Sequence, residues 1–353
     1  MRQVNVHYLN EGDTLAHPVI DASGRILLVA GVKLSNLYIQ RLQSLGFNMV
    51  FIEDDRLDDV IIHSAITPRT RESAYQTVKS VRSCIESNRL IRTNNMRDLV
   101  LRMISDLLSL EGLLGYISDV QGFDDYTFHH SVNTTILALF LGVANKYNET
   151  QLLELGMGVL MHDIGKVKIP SETLNKKGSL STEEFNIIKQ HPLDGYEILR
   201  QTDDFGLISA HVALQHHERW DGSGYPRGLK GTAIHEYGKI AAIVDVYEAL
   251  TSKRVYRDAI QPYQAYEYIM AHSKIFFDPT LLNIFSQYIA IYPDGSGVCL
   301  SNGERGNVVK QNSGYPGRPN VRMFFQGDER LLSPVNYNLA ESPSLLIVET
   351  ENK

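Results

Sequence analysis

The chain has 353 residues, 43% of them hydrophobic and 21% charged, with a net charge of -7, an ordinary globular composition with length for two or three domains. The acidic balance excludes strong non-specific binding to a nucleic-acid backbone, which needs clustered excess lysine and arginine. Two cysteines, Cys84 and Cys299, exclude a disulfide framework or a cysteine zinc site; with no apolar run of roughly 18 residues and no signal-peptide core in MRQVNVHYLNEGD, a cytoplasmic protein off the membrane is expected.

Taken in order, VIDASGRILLVAG predicts a strand, a turn at Ser23-Gly24 and a second strand. LSNLYIQRLQSLGF predicts a helix stopped at Gly46, and NMVFIED another short strand. The segments TPRTRESAYQTVKSVRSCIE and NNMRDLVLRMISDLLSLEGLLGYI carry apolar residues at three-to-four spacing without internal proline, and predict helices. The same period continues through SVNTTILALFLGVANKY, TQLLELGMGVLMHD, STEEFNIIKQHPLDGYEILRQ, GLISAHVALQHHE, HEYGKIAAIVDVYEALTSK and PTLLNIFSQYIAIY. After residue 291 short apolar runs alternate with turn residues, in SGVCLSNGERGNVVKQ, GYPGRP and NVRMFF. The expected fold is therefore mainly α: a small α/β unit (1–65), a helical connector (66–120), a helical bundle (121–290) and a small β-rich unit (291–353).

Seven of the twelve histidines fall between 129 and 217, where an even spread would place roughly three. His130 opens one predicted helix, and the pair His162 and Asp163 ends the next. His191 lies inside IIKQHPLDGYEIL, His216 and His217 close VALQHHE, and Asp245 stands in the apolar run IAAIVDVYEAL. A lone histidine on an apolar face is usually a hydrogen-bonded core residue. Seven imidazoles and carboxylates on five helices are harder to satisfy among themselves, and this is the ligand mixture that first-row divalent metals take. Seven ligands exceed one tetrahedral site, so two metals are expected, with Asp163 placed to bridge them. Two ions about 3.5–4 Å apart lower the pKa of a bridging water and clamp a phosphate oxygen, which is phosphoester hydrolysis.

Three features fit a phosphate substrate. Lys166 follows the His-Asp pair by three residues; Lys253, Arg254 and Arg257 follow Asp245 in TSKRVYRD, and the guanidinium fork suits phosphate. The irregular loop ERWDGSGYPRGLKG, directly after two candidate ligands, reads as a substrate-facing wall. Each also reads as plain surface taken singly.

HDIGK (162–166), HP (191–192), HHERWDGSGYP (216–226) and DVYEALTSKRVYR (245–257) together resemble the successive signatures of the HD-GYP family, a branch of the HD-domain metal phosphohydrolases. The resemblance covers roughly 120–290, and the N-terminal unit resembles a small domain often found ahead of HD-GYP regions. It implies an HD-type helical bundle and a phosphodiesterase that opens cyclic di-GMP to pGpG, in some members continuing to GMP. It also implies a bi- or trinuclear iron site with manganese as competitor. Carried over, the metal ligands are His130, His162, Asp163, His191, His216, His217 and Asp245. Lys166 meets the scissile phosphate, Arg254 and Arg257 lie where the other phosphate binds, and Gly224, Tyr225 and Pro226 form a loop used for substrate or for contact with diguanylate-cyclase (GGDEF) domains. Members with three metals carry a glutamate four residues before the first ligand; Tyr126 stands there, so two metals and pGpG as main product are expected. His129 competes with His130 for the register, and SVN after His130 favours the latter.

The expected mechanism is attack of a hydroxide bridging two metals on one phosphodiester, with Lys166 among the groups stabilising the oxygens. Hydrolysis of another nucleotide, or a non-catalytic module that senses cyclic di-GMP or docks a partner, remain the alternatives. Oligomeric state is left open, a homodimer included.

Overall fold

The computed structural model describes residues 1–21, 25–60, 64–110, 126–176, 178–252 and 259–351. They divide into two compact units: the described residues of 1–64 and 287–351 form one, and those of 65–110 and 126–286 the other.

In the first unit, β1 (Arg2–Asn5) pairs antiparallel with β4 (Met49–Ile52), with Val4 opposite Val50. Strands β2 (Val19–Ile20) and β3 (Ile26–Leu28) form a second pair; the predicted turn at Ser23-Gly24 lies outside the described residues. Helix α1 (Asn36–Ser44) is capped by the Ser35 hydroxyl, and Gly46 terminates it at φ +81°. Val4, Val6, Leu15, Leu34 and Leu42 close a small core. The C-terminal segment adds an antiparallel sheet of β5 (Gly297–Leu300), β6 (Glu304–Lys310), β7 (Asn320–Gln326), β8 (Glu329–Asn338) and β9 (Ile347–Glu351), in the order β8-β7-β6-β5-β9. Pro334 lies in β8, an edge strand, where a missing N–H costs no ladder bond.

Residues 1–64 and the sheet share this unit. Leu57 and Val60 pack on Phe324, Gln3 N–H donates to the Gly295 carbonyl at 3.1 Å, and Arg322 makes a two-pronged ion pair with Asp59, 2.7 Å on each arm. Arg322 holds the exposed Asp59 carboxyl down at about 2. The sequence carries no local sign of this partnership, because the contacts join segments more than 250 residues apart.

The second unit is helical: α2 (Pro68–Glu86), α3 (Thr93–Leu108), α4 (Tyr126–Ala144), α5 (Glu149–Leu160), α6 (Ser171–Leu174), α7 (Thr182–Ile188), α8 (His191–Arg200), α9 (Leu207–Gln215), α10 (Glu236–Thr251), α11 (Pro262–Ala271) and α12 (Pro279–Tyr288). Thus the expected mainly helical bundle is present, and α2 and α3 belong to it. Every residue of α4 from His129 to Gly142 is buried, which makes it the central helix. Its neighbours α5, α9 and α10 are apolar over most of their length and bury about two thirds of it. A reciprocal cap between Asn148 and Gln151 starts α5, with both bonds at 3.0 Å.

One expectation is corrected, and one helix was not foreseen. STEEFNIIKQHPLDGYEILRQ is not one helix: it breaks at Lys189-Gln190, and Pro192 takes the second position of α8, where its missing N–H is harmless. His191 therefore opens a helix and does not stand in the middle of one. QPYQAYEYIMA, passed over in the sequence, forms α11 behind Gln261 and Pro262.

Candidate metal centre

Five places in the helical unit deliver the predicted ligands. His130 sits one turn into α4, and His162 and Asp163 follow the end of α5. There the chain tightens into the 3₁₀ turn Ile164–Lys168. This turn packs on the start of α8, and Gly165 permits the approach: a Cβ there would lie 2.0 Å from the His191 carbonyl oxygen and 2.5 Å from Gly195 N. The glycine of HDIGK thus lets the His-Asp pair and His191 occupy one place. His216 and His217 follow the last turn of α9, and Asp245 projects from α10.

Ligand atoms of these residues converge in two groups, Asp163 with His191, His216 and His217, and His130 with His162 and Asp245, each within 4.8 Å. Asp163 faces both. Its Oδ2 lies 3.6 Å from His130 Nε2 and 3.5 Å from His162 Nε2; its Oδ1 lies 3.3 Å from His191 Nε2 and 3.7 Å from His216 Nε2. Asp245 Oδ1 is 3.0 Å from His130 Nε2. His129, the alternative register, turns elsewhere: its ring meets Tyr75 of α2 at 4.3 Å. Tyr126 begins α4, four residues before His130.

The protonation pattern fits a cation. Nδ1 of His162 donates to the Val159 carbonyl (2.7 Å), that of His191 to Ile188 (2.6 Å) and that of His216 to Ala213 (2.9 Å). A carbonyl only accepts, so each neutral ring presents a lone pair at Nε2. Yet Nε2 of His191 faces Nε2 of His216 at 3.2 Å. Two facing lone pairs repel unless a cation stands between or beside them. Asp163 Oδ1, buried, accepts no hydrogen bond among the described residues, which matches a neighbouring Nε2 that has no proton to give. Outward Nδ1 bonds that aim Nε2 inward are the usual second layer of a metal-binding histidine.

Electrostatics agree. Burial, with the neighbouring imidazoles, holds His216 well below the ordinary histidine range, and burial brings His217 down to about 3 against the pull of Asp245. Both rings are neutral, as ligands must be. Burial works against ionised Asp163 and Asp245, but Lys166 and His162 for the first and His130 for the second outweigh it and keep both well below the usual carboxylate range. His130 is the exception: burial lowers it, but Glu248 and Asp245 prevail and push it up to about 9. Asp245 and Glu248 thus surround that ring with negative charge.

Lys166 Nζ lies 2.5 Å from Asp163 Oδ2 and remains partly exposed, a cation beside both groups. Tyr225 stacks on His217 at 4.7 Å and 26°, so the loop after α9 covers the second group. Glu218, buried and missed in the sequence, shapes this loop: its two oxygens accept from Arg227 N–H at 2.8 Å and Leu229 N–H at 2.9 Å. At Gly224 a Cβ would lie 2.3 Å from Arg219 N and 2.5 Å from the His217 carbonyl oxygen, so only glycine lets the chain turn back here. Pro226 follows in a cis peptide. Glu248, three residues after Asp245 on α10 and buried, was also missed. Lys253, Arg254 and Arg257 lie outside the described residues. No described helix is long and apolar enough to cross a membrane.

Comparison with known proteins follows this geometry. The family described as HD domain matches residues 103–281. A Pseudomonas aeruginosa protein named cyclic di-GMP phosphodiesterase PA4108 is 31% identical over 79% of this chain and 66% of its own length. The cyclic di-GMP phosphodiesterase response regulator RpfG of Xanthomonas campestris is 41% identical over 41% of this chain and 37% of its own. A Vibrio cholerae protein named 3'3'-cGAMP-specific phosphodiesterase 2 is 40% identical over 37% of this chain and 26% of its own. The chain thus spans about two thirds of the first relative and under two fifths of the other two.

Proposed function

Because this chain belongs to the HD-domain family, we propose that it is a metal-dependent phosphodiesterase that opens cyclic di-GMP to pGpG. The observation that carries the reading is Asp163, whose two oxygens each face a different pair of imidazoles. His130, His162 and Asp245 would hold one ion and His191, His216 and His217 the other, with Asp163 shared. Iron is the favoured metal and manganese its competitor. Bound there, two ions supply a water ionised near neutral pH and polarise the phosphodiester oxygens.

The residues do the rest. Lys166 offsets negative charge at the Asp163 side, where the phosphoryl oxygens gain charge as the bond to the leaving ribose oxygen breaks. Tyr225, pressed on His217 with its hydroxyl held protonated by burial, presents a neutral aromatic wall suited to a nucleobase. A dinucleotide substrate is supported by the names of the relatives, and 3'3'-cGAMP is the second candidate because one relative is named for it.

The test is metal quantification on anaerobically purified full chain, with chromatography of products from cyclic di-GMP and 3'3'-cGAMP, beside Asp163→Ala. Two metals per chain and pGpG formation that Asp163→Ala abolishes are expected. Preferential cleavage of 3'3'-cGAMP would change the substrate; metal bound without turnover of either would overturn the reading.

A further inference from the structure

Helix α2 carries Ser73, Thr77, Ser80 and Cys84 on one stripe, at three- and four-residue spacing. These side chains are short, and α2 and the segment after it leave between them an open cavity of about 500 Å³, within the range of small-molecule sites. The end of the helix brings a cation to it. Asn88 takes a left-handed φ of +50°, its N–H donates to the Ile85 carbonyl at 3.0 Å, and Arg89 N–H donates to the Cys84 carbonyl at 2.7 Å, so the chain reverses and sets Arg89 beside Cys84. Arg92, just ahead of α3, lines the same space. Arg89 Nη2 donates to the Ser83 hydroxyl at 3.2 Å, and neither guanidinium pairs with a carboxylate among the described residues. The chain has a net charge of -7, yet no acidic side chain lines this cavity among the described residues.

We propose that this cavity binds a nucleoside phosphate, at a second site apart from the metal centre. Two guanidiniums without a neutralising carboxylate offer planar forks to phosphate oxygens. Val81, Ile91 and the exposed Leu90 add apolar surface for a base, and the Ser80 hydroxyl is placed for a sugar. A phosphate alone would leave most of the volume empty. None of the seven candidate metal ligands lines the cavity, nor does Lys166, so the site stands whatever the substrate of the centre.

The experiment uses the full chain carrying Cys299→Ser, which leaves Cys84 as its one thiol. Alkylation of Cys84 by iodoacetamide, an uncharged reagent, is followed with GMP, AMP, guanosine or inorganic phosphate present. GMP or AMP should slow it saturably, about tenfold at ten times the half-saturating concentration. Guanosine and inorganic phosphate should each protect far less, since each lacks one part of the ligand. Arg89→Gln combined with Arg92→Gln should remove the protection, with helical content and the rate without nucleotide as in the parent, and the paired Arg→Lys changes should keep part of it. Asp163→Ala, which strikes the metal centre, should keep protection in full. Protection by neither nucleotide, equal protection by guanosine or by phosphate, or protection that survives loss of both arginines overturns the proposal. Protection lost in Asp163→Ala would assign the nucleotide to the metal centre and overturn it as well.

Discussion

Glu248 holds His130 by its far nitrogen: one carboxylate oxygen lies 2.5 Å from Nδ1, and the other accepts from the Ser252 hydroxyl at 2.7 Å. Both oxygens are occupied and the residue is buried, so the ring has one orientation, with Nε2 toward Asp245 and Asp163. Glu248→Gln keeps the shape but removes the charge. It should weaken metal retention by roughly 10–100-fold, read by chelator competition, with little change in helical content. Retention equal to the parent would leave Glu248 a packing residue.

The metal-stripped protein should show a two-sided pH profile of stability. His130 in the folded chain titrates at about 9, above its ordinary value, so its contribution is complete below about pH 6.5 and fades as pH rises through 9. His217 does the reverse: folded, it stays neutral down to about 3, so the unfolded chain takes up the proton first and stability falls as pH drops below about 6.5. Thermal melts from pH 5 to 9.5 should peak between these arms. Glu248→Gln should flatten the alkaline one, and a flat parent profile would contradict the assignment.

Gly165→Ala tests the close approach of the His-Asp turn to α8. With the new Cβ only 2.0 Å from a carbonyl oxygen, backbone must move, at a cost of about 1–3 kcal/mol or more. A lower melting temperature together with reduced metal content is expected, because His191 moves with the start of α8. Full metal content at parental stability would show that the turn yields freely.

Glu218→Gln addresses the loop alone. Exchanging one carboxylate oxygen for an amide donor sets an N–H against Arg227 N–H or Leu229 N–H, a penalty of about 1–3 kcal/mol. Turnover of the dinucleotide should fall about 10–100-fold while metal content holds, since none of the seven candidate ligands is Glu218. Equal loss of metal would mean that the loop also supports His216 and His217.

The seven residues named from sequence all fall in the two clusters because imidazole and carboxylate in apolar helices are conspicuous. The residues that orient them are not conspicuous. Glu218 reads as one more charge in a charged loop and Glu248 as a helix-surface glutamate, and only the packing shows them buried. The break before His191 was legible in principle, since Pro192 has no N–H to offer the Ile188 carbonyl four residues back. Strands β8 and β9 gave weaker signals, one interrupted by Pro334, and their pairing was invisible to local pattern.

The partnership of residues 1–64 with the C-terminal sheet has a consequence for synthesis. A chain leaving the ribosome from its N-terminus has every described element of the helical unit available before β5 exists. By contrast, Gln3 must wait for Gly295 and Asp59 for Arg322, across 263 residues. Until then Leu57 and Val60 have no Phe324 to cover them, so residues 1–64, made before the helical unit, are covered only after it. Such late closure is the period in which a nascent chain is exposed to wrong partners. A stalled chain released after residue 290 would carry the whole candidate metal centre, and would emerge with that N-terminal apolar surface bare.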